Sequence, residues 1–137
     1  MVNVAIVGYK EIPSGGFPDY VSWFPQRLER FRGIHFCHVD VIGEKGNKSI
    51  AELVREMLDS KPDVLHYANY RDQHNKEKID EQYLQEVRRQ SQIPILLTSG
   101  RPEIEVLWHR LKIRTLVGVF NFNEYAALLE ELASTGH

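Results

Sequence analysis

The sequence predicts a doubly wound α/β/α sandwich, three layers built on a five-stranded parallel sheet in the order 2-1-3-4-5. Three observations carry this expectation. Short runs of strand length recur along the chain (VNVAIV, IHFCHVDV, VLHYA, IPILLT, TLVGVF), and all but the second are nearly continuous apolar stretches, as strands buried on both faces require. Segments with helical spacing separate them, and alternation of this kind argues for a parallel sheet with helices on both faces. Short connections and right-handed crossovers then leave 2-1-3-4-5 as the leading order.

Each element has its own signals. Val2 to Val7 makes the first strand, ending at Gly8. The connection GYKEIPSGGFPDY is about twice the usual two to six residues of a strand–helix loop, which marks it as a candidate functional loop. The first helix begins between Ser22 and Pro25, since proline is tolerated only in a first turn, and Phe24, Leu28 and Phe31 give it an apolar face. Gly33 ends it. Ile34 to Val41 sets His35, Cys37 and Val39 against Phe36, His38 and Asp40, a partly polar alternation that suits an edge strand. Ser49 and Glu52 form a capping box, and Ile50, Leu53, Val54, Met57 and Leu58 trace one helical stripe behind it. Lys61-Pro62-Asp63 stops that helix before the strand Val64 to Ala68.

A helix from about Glu77 to Gln90 places Ile79, Tyr83, Leu84 and Val87 on one side. Ile93 to Thr98 is the fourth strand, broken by Gly100, Arg101 and Pro102. Ile104, Leu107, Trp108 and Leu111 then recur at helical spacing. Thr115 to Phe120 is the fifth strand. Asn121, with Glu124 three residues on, caps a last helix buried through Tyr125, Leu128, Leu129 and Leu132. Residues 1–133 are expected to form one domain, with Ser134 to His137 as a frayed tail.

At 137 residues the chain suits a single domain, and 42% hydrophobic with 26% charged residues is ordinary for a globular protein. A net charge of −2 gives no electrostatic case for nucleic acid or an anionic membrane. The apolar runs are too short to cross a bilayer, and the N-terminus lacks a basic region and cleavage site, reading as a strand. One cysteine, Cys37, excludes an internal disulfide. The expected location is cytoplasmic.

The strand ends are where ligands meet such sheets, and three passages there resemble the receiver domain of two-component response regulators, a flavodoxin-like fold. KPDVLHYAN sits where receivers have the strand leading to the phosphorylated aspartate. IPILLTSG resembles their fourth strand, which ends in Thr or Ser, here Thr98. VGVFNFNEYAALLEEL resembles their final strand and acidic, leucine-rich helix. The resemblance implies a signalling domain that meets a protein partner, or its own copy, through the face made by the fourth helix (102–111), the fifth strand and the last helix. It does not bring the chemistry. The acidic pair that holds Mg²⁺ in receivers falls on Gly8 and Tyr9, the phosphate-accepting aspartate near Ala68 or Asn69, and the lysine on Phe120. The expected function is therefore a non-phosphorylatable, pseudo-receiver interaction domain with no catalytic residues and no cofactor.

The alternative is a small flavodoxin-like module binding a nucleotide, flavin or other anion at the strand ends. The Ser14-Gly15-Gly16 loop resembles a phosphate cradle in offering backbone N–H groups, but lacks G-x-G-x-x-G and G-x-x-x-x-G-K-[ST]. The candidate pocket comprises Gly8, Tyr9, Ser14, Gly15, Gly16, Asn69, Arg71, Thr98, Ser99, Arg101 and Asn121. Ser99, His74 and Asp72 have nucleophile, base and acid types but no G-x-S-x-G elbow. Six histidines show no metal-binding spacing, and the odd offset of His35 and His38 sends them to opposite faces of a regular strand. His66, interior to the third strand, reads as a core histidine with a hydrogen-bond partner.

Overall fold

The computed structural model describes residues 1–9, 25, 28, 33–42, 48–69, 77–99, 113–117 and 121–135. The elements are β1 (Val2–Tyr9), β2 (Ile34–Ile42), α1 (Ile50–Asp59), β3 (Val64–Asn69), α2 (Glu77–Gln90), β4 (Ile95–Ser99), β5 (Arg114–Val117) and α3 (Phe122–Thr135). The helices expected at 22–31 and 102–111 lie outside the described residues, apart from Pro25 and Leu28, both helical.

The fold is α/β with an all-parallel sheet, whose strands are hydrogen-bonded in the order β2-β1-β3-β4-β5. Strand alternation divides the core in two. Ala5, Val7, Leu65, Tyr67, Ile95 and Leu97 face one way and pack against Leu53, Val54 and Met57 of α1 and Tyr83, Leu84 and Val87 of α2. Val4, Ile6, Val64, Ala68 and Leu96 face the other way, against Tyr125, Leu128 and Leu129 of α3 and against Leu28. Each side chain named here is at most 8% exposed, so the sheet is covered on both faces.

Local chemistry sets the helix ends. The Ser49 hydroxyl accepts from the Glu52 backbone N–H at 3.2 Å and opens α1. The end of α1 is closed by Lys61, a left-handed residue at φ 56°, whose N–H reaches Leu58 O at 3.0 Å. Asn121 Oδ1 accepts from the Glu124 N–H at 2.7 Å and opens α3. That helix runs to Thr135, and the Ser134 hydroxyl donates to Glu130 O at 2.9 Å. Ser134 and Thr135, expected in a frayed tail, are thus part of this helix, and Ser134 finds an acceptor one turn back.

Two further expectations need correction. The fourth strand starts at Ile95, not Ile93: Pro94 has no N–H to give a ladder, though its carbonyl accepts from Leu65 N at 3.0 Å. In β2 the alternation is broken. Val4 pairs with Phe36 but Ala5 pairs with His38, so Cys37 is an extra residue in a β-bulge. Beyond the bulge His38, Asp40 and Ile42 face the α1 and α2 side, whereas regular alternation from Phe36 would have turned them toward α3. The face separation expected between His35 and His38 assumed an unbroken strand and does not survive this shift.

Candidate functional site

The carboxyl ends of β1, β3 and β4 form the place where a doubly wound sheet offers a site. Register aligns three residues there: Gly8 pairs with Ala68, and Ala68 pairs with Thr98. Gly8 and Ala68 are buried and carry no functional group. Thr98 is fully buried, and its hydroxyl faces the α3 side of the core. The row is small and electrically neutral.

The Thr98 hydroxyl is already engaged. His66 Nε2 lies 2.7 Å from Thr98 Oγ1, and His66 Nδ1 lies 2.6 Å from the Tyr125 hydroxyl. A neutral imidazole carries one N–H and one lone pair, so one hydroxyl accepts from the ring and the other donates to it. Tyr125, in the first turn of α3, also packs its ring against His66 with centroids 5.1 Å apart. All three side chains are fully buried. Burial lowers the His66 pKa from 6.5 to about 3, so the ring is neutral at pH 7. The expectation that His66 is a partnered core histidine matches this arrangement. The placing of Thr98 in an open pocket does not, because its side chain turns into the core.

The other described candidates take up different roles. Asn121 serves as the cap of α3, its side-chain oxygen committed to Glu124 N–H. The backbones of Asn69 and Ser99 pair with each other one position beyond the Ala68–Thr98 row, and Tyr9 pairs with Ile42. Ser14, Gly15, Gly16, Arg71 and Arg101 lie outside the described residues, as do His74 and Asp72. Among the described residues no three His, Cys, Asp or Glu side chains converge as a metal-ligand set. No described helix is long and apolar enough to cross a membrane.

Sequence reading missed the membership of Tyr125 in a polar network, having counted it as an apolar stripe residue of the last helix. A tyrosine on a buried stripe was itself the available signal, since a buried phenol needs a partner. Comparison with protein-family models and with curated proteins finds no match to this chain.

Proposed function

We propose that this chain is a receiver-like, flavodoxin-like signalling domain that cannot be phosphorylated and acts by binding a protein partner, or a second copy, through residues 102–111, β5 and α3. One observation carries the reading: the strand-end row is Gly8, Ala68 and Thr98, with the single hydroxyl tied to His66. Phosphoryl transfer in a receiver-like site needs carboxylates for Mg²⁺ and a carboxylate nucleophile, and glycine and alanine supply neither. The parallel sheet with helices on both faces is compatible with this fold. The network running from Thr98 through His66 to Tyr125 supports the choice of face, since it joins the strand ends to the first turn of α3.

The test is incubation of the purified chain with Mg²⁺ and either acetyl phosphate or beryllofluoride, read by intact mass and thermal shift, with light scattering for mass. The expected result is no phosphoryl adduct, no shift with beryllofluoride, and self-association that substitutions on the exposed side of α3, such as Asn123→Arg, weaken. An adduct or a Mg²⁺-dependent shift would overturn the non-phosphorylatable reading. A shift of several degrees with FMN or a nucleotide would replace the interaction domain with a ligand-binding module.

A further inference from the structure

We draw no further inference here: the strongest candidate, the outer side of edge strand β2 around the exposed Val39, carries nothing because nothing in the structure shows what covers it.

Discussion

Acid is expected to loosen this fold through His66. Folding lowers the His66 pKa from 6.5 to about 3, so between these values the unfolded chain binds a proton that the native state refuses. Stability contributed by this residue is therefore fully present above pH 6.5 and is lost as the pH falls toward 3. One proton costs about 1.4 kcal/mol per pH unit. The loss reaches roughly 2 kcal/mol at pH 5 and roughly 4 kcal/mol at pH 3, against about 5–15 kcal/mol for a whole domain. The assay is urea unfolding by tryptophan fluorescence and circular dichroism at intervals from pH 7.5 to 4.5, for wild type and His66→Gln. Glutamine keeps a donor and an acceptor but does not titrate, so its stability is expected to fall with acid by about 1.4 kcal/mol per unit less steeply. The His66 ring proton is expected to hold a constant chemical shift down to pH 4.5. Equal slopes in the two proteins, or a His66 resonance titrating near 6.5, would refute the reasoning.

Tyr125→Phe and Thr98→Val are each expected to cost about 1–3 kcal/mol in urea unfolding, because each strands a buried His66 nitrogen. The double variant is expected to cost less than the two single losses together, since both act through one ring. Two left-handed positions have opposite outcomes. Gly33, at φ 92° with open space where a Cβ would stand, is expected to lose about 1–2 kcal/mol as Gly33→Ala from backbone strain alone. Lys61→Gly, at φ 56°, is expected to gain up to about 1 kcal/mol in the same measurement.

Much of the architecture was legible because the signals were local. Ser49 and Glu52, three apart ahead of an apolar stripe, placed the start of α1, and Asn121 with Glu124 did the same for α3. The apolar runs VLHYA and IPILLT located β3 and β4 to within two residues. What stayed hidden depended on strand-to-strand register. No residue type announces the bulge at Cys37, which exists only as a mismatch between β1 and β2 and decides which face His38 and Asp40 take. Thr98 was the right residue type for a strand-end site, but the direction of its side chain follows from pairing with Ala68 and from the nearness of His66. Polarity in the sequence could not say whether that hydroxyl met solvent or core.

The His66 network also bears on how the sheet keeps its register. Runs such as IPILL and VLHYA are apolar on both faces, so a one-residue slip of β3 against β4 would trade one set of aliphatic contacts for another at modest cost. The same slip would turn His66 toward α1 and α2, away from Tyr125 and Thr98, leaving three buried polar groups bare. This predicts a contrast. Replacing the whole network with apolar groups of similar size, His66→Leu with Tyr125→Phe and Thr98→Val, leaves no unpaired partner and is expected to be near neutral or stabilising, unlike the single variants. If the network specifies register, the triple variant is expected to show broadened or doubled amide resonances in β3 and β4 despite its stability. Single sharp resonances throughout, with wild-type strand NOEs, would mean that aliphatic packing alone defines the register, and that the network serves only to satisfy His66.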